Sequence, residues 1–85
     1  MSDPHLHASH PAIVKRLKRA EGHLRHVTSM IETGARCLDI ARQLAAVESA
    51  LTAAKRELIR DHIDHCLTAG DTGALDELKA LARLL

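Results

Sequence analysis

The chain has 85 residues, 46% of them apolar, 27% charged and none aromatic, with a net charge of +1. One small domain of this size has a marginal core, so burial must come from closely packed Leu, Ile, Val and Ala and from partner chains. The lack of Phe, Tyr and Trp excludes base stacking of the single-strand or RNA type, and no apolar run of roughly 18 residues offers a membrane span.

Residues 1–11 (MSDPHLHASHP) carry His5, His7 and His10 with two prolines and no apolar period, which predicts a flexible, His-rich tail. Ser2, Asp3 and Pro4 stand where a secretory leader would be basic, so a cytoplasmic protein is expected. Residues 12–85 are expected to form a single helical domain. In its first helix, over 12–33, Ile13, Leu17, Ala20, Leu24, Val27 and Ile31 alternate steps of four and three, the spacing of a helical seam. Gly34 is a natural stop.

A second helix starts near Arg36 and keeps the same rhythm through Ile40, Leu44, Val47, Leu51, Ala54 and Leu58, then Ile59, Ile63 and Leu67 before Gly70. At about 33 residues it is roughly 50 Å long. Small residues at its midpoint (Ser49, Ala50, Thr52, Ala53, Ala54) let two such helices cross closely. After Asp71, Thr72 and Gly73, a short helix over 74–84 offers Leu75, Leu78, Leu81, Ala82 and Leu85, and is too short to stand without docking on the others. The expected fold class is therefore all-α, with three helices per chain.

Cys37, His62 and Cys66 are the side chains with the most chemistry. In a reducing compartment two cysteines are expected as free thiols or metal ligands. His62 and Cys66 are four apart and so share one helix face. Cys37 lies 25 residues before His62, which is roughly 37 Å along an intact helix. One chain cannot bring all three to a single ion. Two antiparallel copies can, because a twofold axis near Ala50 and Leu51 sets position 37 of one chain opposite positions 62–66 of the other. The bland alternative is that His62 and Cys66 are ordinary packed residues beside Ile59, Ile63 and Leu67.

Lys15, Arg16, Lys18 and Arg19 spread over an arc of about 160° on the first helix, opposite its apolar stripe. His23 and His26 fall on the same side, and Glu21 and Glu32 sit at one margin. A solvated face is the usual meaning of such a run. Repeated across an oligomer, however, it suits the phosphates of duplex DNA. No helix-turn-helix pattern is present, so sequence preference would come from a few side chains or from DNA shape.

The stretch HPAIVKRLKRAEGHLRHVTSMIETGARCLDIARQLAAVESALTAAKRELIRDHIDHCL, with Cys37, His62 and Cys66 at its specific spacing, resembles the CsoR/RcnR family of metal-sensing transcriptional repressors over roughly residues 5–70. The resemblance implies an antiparallel dimer, a four-helix bundle through helices 1 and 2, that assembles further as a dimer of dimers. It implies operator DNA bound by the apo tetramer and released by metal. Cys37 from one chain with His62 and Cys66 from its partner would be the ligands. The DNA contacts fall on Arg16 and Arg19, with Lys15, Lys18 and Arg56 as helpers. An arginine common on the family's second helix aligns with Glu48, a departure from the family's DNA footprint.

The same resemblance bears on the inducer. Two thiolates and an imidazole suit Cu(I). The nickel and cobalt branches add an N-terminal histidine 32 residues before the first cysteine, here His5, making four ligands suited to square-planar Ni(II). The copper branch carries a tyrosine and a helix-3 glutamate that couple the site to DNA release; Arg36 and Ala82 stand there instead. The expectation is thus Ni(II), with Co(II) or Cu(I) as alternatives and Zn(II) as a non-cognate binder. Further alternatives are a formaldehyde-responsive repressor reacting at Cys37, or a metal-storage bundle that does not touch DNA. A zinc hydrolase is disfavoured because Asp61 and Asp64 flank the ligands but point to other faces, so no enzyme activity is expected.

Overall fold

The computed structural model describes residues 9–69 and 75–85, the side chains of 66–69 excepted. Three helices are formed, α1 (His10–Glu32), α2 (Cys37–Ala69) and α3 (Leu75–Ala82), in agreement with the all-α expectation. His5 and the stretch 70–74 lie outside the described residues, and so does most of the expected tail.

α1 starts two residues before the expected 12, because Pro11 sits in its first turn, where a missing N–H costs nothing and the fixed φ is already helical. Its end is set by Gly34, at φ 76°. The Gly34 N–H donates to Ile31 O at 3.2 Å and the Ala35 N–H to Met30 O at 2.9 Å, the paired bonds that close a helix through a left-handed residue. Nothing lies within 4 Å of where a Gly34 Cβ would be, so backbone conformation and not crowding demands glycine here. The chain reverses over the four residues 33–36 into α2, whose first turn holds Asp39 beside the helix N-terminus. α2 runs 33 residues without a break. α3 is eight residues and ends at Ala82, earlier than the expected 84.

α1 and α2 pack as an antiparallel hairpin. The buried apolar side chains are Ile13, Ala20 and Val27 on α1 and Val47, Ala54 and Ile59 on α2. These are small or β-branched residues, so the two axes approach closely. Only alternate members of each predicted seam are used. The intervening members, Leu17, Leu24 and Ile31 on α1 and Leu44, Leu51 and Leu58 on α2, are each at least 40% exposed.

The molecule measures 53 × 30 × 13 Å. Its thin dimension is about one helix diameter, so the hairpin is a single layer, whereas a stable domain buries its apolar faces between two. The exposed surface, 6573 Å², compares with about 5000 Å² for a compact monomer of this mass.

Val27 is 2% exposed and is the last of the three buried side chains of α1, toward the turn into α2. Val27→Ala is expected to lower stability by about 2 kcal/mol through lost burial and a residual cavity, measurable as a drop in the urea midpoint with an unchanged slope.

Candidate functional site

The one-layer hairpin has two unlike faces. At about 100° per residue, Leu17 and Leu24 lie on one flank of the line through Ile13, Ala20 and Val27, and Arg16, Arg19 and His23 lie on the other. Leu44, Leu51 and Leu58 flank the α2 contact line on the same side as Leu17 and Leu24. The opposite side of α2 presents Ala50, Ala53, Arg56 and Glu57. The result is a leucine face and a basic groove, back to back.

On the basic side, Arg16, Arg19, Ala20 and His23 of α1 and Ala50 and Ala53 of α2 line a cleft of about 320 Å³. It continues into a second, of about 610 Å³, lined by Ser9, Arg16, Ala53, Arg56, Glu57, Arg60, Asp61 and Asp64. Arg16 and Ala53 line both. The alanines keep the floor low enough for the arginines to lie across it. Two polar links cross between the helices here. Arg16 Nη1 donates to Glu57 Oε2 at 2.6 Å, and His23 Nε2 lies 2.6 Å from Gln43 Oε1.

The expected basic arc is divided. Arg16 and Arg19 face the groove, and Arg56 joins them from α2. Lys15 and Lys18 instead border a separate concavity with His10, Pro11 and Val14, over the crest of α1. All five basic side chains are exposed. Arg60, which sequence reasoning passed over, is also in the groove. Its signal is its place one turn after Arg56 on the same α2 face.

The thiol and imidazole positions stay apart within the chain. Cys37 is a free, exposed thiol at the first turn of α2, and His62 is on the eighth turn of the same unbroken helix. Among the described residues no three His, Cys, Asp or Glu side chains come close enough to hold an ion. The backbone of Cys66 lies within α2, one turn after His62. The donor types, thiol and imidazole, suit a soft or borderline metal, while the unbroken α2 keeps Cys37 and His62 of one chain from meeting at one ion.

His62 has a neighbour the sequence did not point to. Its Nε2 lies 3.3 Å from Oε1 of Glu77, in the first turn of α3. A carboxylate on one imidazole nitrogen orients the ring and raises the basicity of the other, the usual support for a metal-binding histidine. Arg36 and Ala82 leave the expected tyrosine and helix-3 glutamate positions unfilled, yet α3 reaches His62 through a different acid. The spacing of residues within α2 holds no information about α3, so only docking of the two helices makes this contact visible.

No described helix is long and apolar enough to cross a membrane. Residues 9–85 match the family described as metal-sensitive transcriptional repressors. The chain is 39% identical over 72 residues to the copper-sensing transcriptional repressor CsoR of Mycobacterium ulcerans (strain Agy99), a match covering 79% of this chain and 62% of that protein. It is 39% identical over 79 residues to the copper-sensing transcriptional repressor RicR of Mycobacterium tuberculosis (strain ATCC 25618 / H37Rv), covering 84% of this chain and 82% of the other. Among solved structures, the nickel-responsive transcriptional regulator InrS superposes with a TM-score of 0.79 at 36% identity, covering 98% of this chain and all of that one.

Glu77 is more than half exposed, so its link to His62 is a weak tether. Glu77→Ala is expected to speed amide exchange in α3 by about two- to fivefold while leaving the protected centre of α1 and α2 unchanged, as read by hydrogen–deuterium exchange.

Proposed function

Because this chain belongs to the family of metal-sensitive transcriptional repressors, a family without enzymes, we propose that it is a Ni(II)-responsive repressor that holds operator DNA in the apo state and releases it on binding metal. The observation that carries this is the division of a one-layer hairpin into a basic groove and an open leucine face, with soft-metal donors at opposite ends of one helix.

A second copy of the chain is the natural occupant of the leucine face. Leu17, Leu24, Ile31, Leu44, Leu51 and Leu58 are each about half buried already, so covering the remainder contributes about 1 kcal/mol apiece. Summed over both chains this is comparable to the association cost of ~4–15 kcal/mol. Antiparallel pairing centred near Ala50 and Leu51 completes a four-helix bundle and sets Cys37 of each chain against His62 and Cys66 of the other. His5 is the proposed fourth ligand. Two dimers then pair into a tetramer, which repeats the basic groove.

In the apo state, Arg16 and Arg19 contact backbone phosphates of the operator, with Arg56 beside them in the groove and Lys15 and Lys18 over the crest of α1. The family resemblance sets Glu48 in the place of a further arginine, so phosphate contact concentrates on α1. Bound metal supplies a cross-link between the start of one α2 and the end of its partner. His5, drawn toward that site, orders the tail next to the start of α1 and its basic residues. The differential contact between the two states is the coupling free energy that links metal to DNA release. Glu77 biases the orientation of the His62 ring through a weak, exposed contact.

Ni(II) is favoured by the four-donor set with His5, by Arg36 and Ala82 in place of the copper-type coupling residues, and by likeness to a nickel-responsive regulator. Cu(I) is the second candidate, favoured by the two-thiolate, one-imidazole trio and by relatives named copper-sensing. Co(II) would follow Ni(II) in the same donor set, and Zn(II) would bind without inducing.

Anaerobic titration of the full chain with Ni(II), Co(II), Cu(I) and Zn(II), each followed by a mobility-shift assay on the duplex upstream of its own coding sequence, should show release with Ni(II). Release with Cu(I) alone would reassign the metal, and absence of any apo complex would remove the repressor. Cys37→Ala and His62→Ala should each retain the apo shift and lose nickel-driven release. Mixing these two variants, refolded together, should restore roughly one site per mixed dimer, since each chain supplies what the other lacks. No restoration would rule out ligands shared across chains. His5→Ala should weaken nickel affinity by at least about tenfold, the cost of losing one ligand or its support.

A further inference from the structure

Arg16 is the residue common to both halves of the basic groove, and the two halves differ in charge. Toward Arg19 the lining carries no carboxylate. Toward the start of α1, Arg16, Arg56 and Arg60 meet Glu57, Asp61 and Asp64, so that end is balanced. Arg16 is held on the balanced side by its 2.6 Å bond to Glu57, with both side chains partly open to solvent at 53% and 34% exposure. Lys15, Lys18 and Arg19 make no ion pair among the described residues.

We propose that Glu57 is a built-in competitor for the DNA phosphate, an affinity-determining residue that must release Arg16 before this arginine can grip the backbone; the inference rests on the DNA-binding role proposed above. A carboxylate and a phosphate offer a guanidinium the same kind of paired oxygen acceptors. One therefore replaces the other without a change in the donor. The exchange has somewhere to put the displaced group. Arg60 lies three residues after Glu57 on α2 and borders the same cleft, within reach of a helical side-chain pair. Glu57 thus swings from Arg16 to Arg60 as Arg16 turns toward Arg19 and the phosphate. A duplex whose backbone does not place a phosphate over the Arg16–Arg19 end cannot make the exchange, so the competitor penalises loosely fitting DNA more than a well-fitted operator.

The test is a double-mutant cycle on the full-length, metal-free protein, read by fluorescence anisotropy with a labelled duplex from upstream of its own coding sequence and a scrambled duplex of equal length. Glu57→Gln should tighten binding about threefold to tenfold, the range for one exposed ion pair repeated over the contacting protomers, and the gain should be larger on the scrambled duplex. Glu57→Asp, which keeps the charge but shortens the reach, should give a smaller gain, and circular dichroism should show unchanged helicity for both. In an Arg16→Gln background the Glu57→Gln gain should fall below about twofold. An unchanged affinity for Glu57→Gln overturns the proposal, as does an equal gain with and without Arg16, which would make Glu57 a diffuse negative charge. If the unmodified chain binds neither duplex, the repressor role itself fails; if it binds and Glu57→Gln adds nothing, only the competitor fails.

Discussion

The unbroken length of α2 is the constraint on which the rest depends. An α-helix is stiff over 33 residues, and its fixed rise keeps Cys37 and His62 roughly 37 Å apart. No loop or kink relieves this separation. A metal site that joins these two residues therefore needs another chain.

The same stiffness explains how the surfaces are apportioned. A hairpin of two straight helices has one contact line, and here it is filled by small and β-branched side chains that let the axes approach. The leucines of the same heptads are left on one flank, open across a layer 13 Å thick. The arginines lie on the other flank over a floor of alanines. A contact made through the leucine face leaves the basic groove outward, so assembly and polyanion binding need not compete for surface.

The charges show why a near-neutral chain can still present a basic surface. Glu57, Asp61 and Asp64 are gathered at one end of the groove, Arg16 stands between the two ends bonded to Glu57, and the other end carries Arg19 with no carboxylate in its lining. Net charge averages over these two ends. Exposed ion pairs are individually weak, so the Arg16–Glu57 pair is better understood as a positioning contact than as a source of stability.

The sequence by itself determined the three helices, the stop at Gly34, the apolar period and the spacing of Cys37, His62 and Cys66, because each is a property of one segment and its 3.6-residue repeat. The tertiary structure alone decided which half of each seam is consumed inside the hairpin, for both halves read as equally apolar along the chain. It alone divided Arg16 and Arg19 from Lys15 and Lys18, because a helical arc has no sides until a second helix packs against it. It placed Glu57 on Arg16, 41 residues away, and Glu77 on His62. Such pairs depend on how two helices cross and which rotamers the crossing allows, and no periodicity within either helix encodes them.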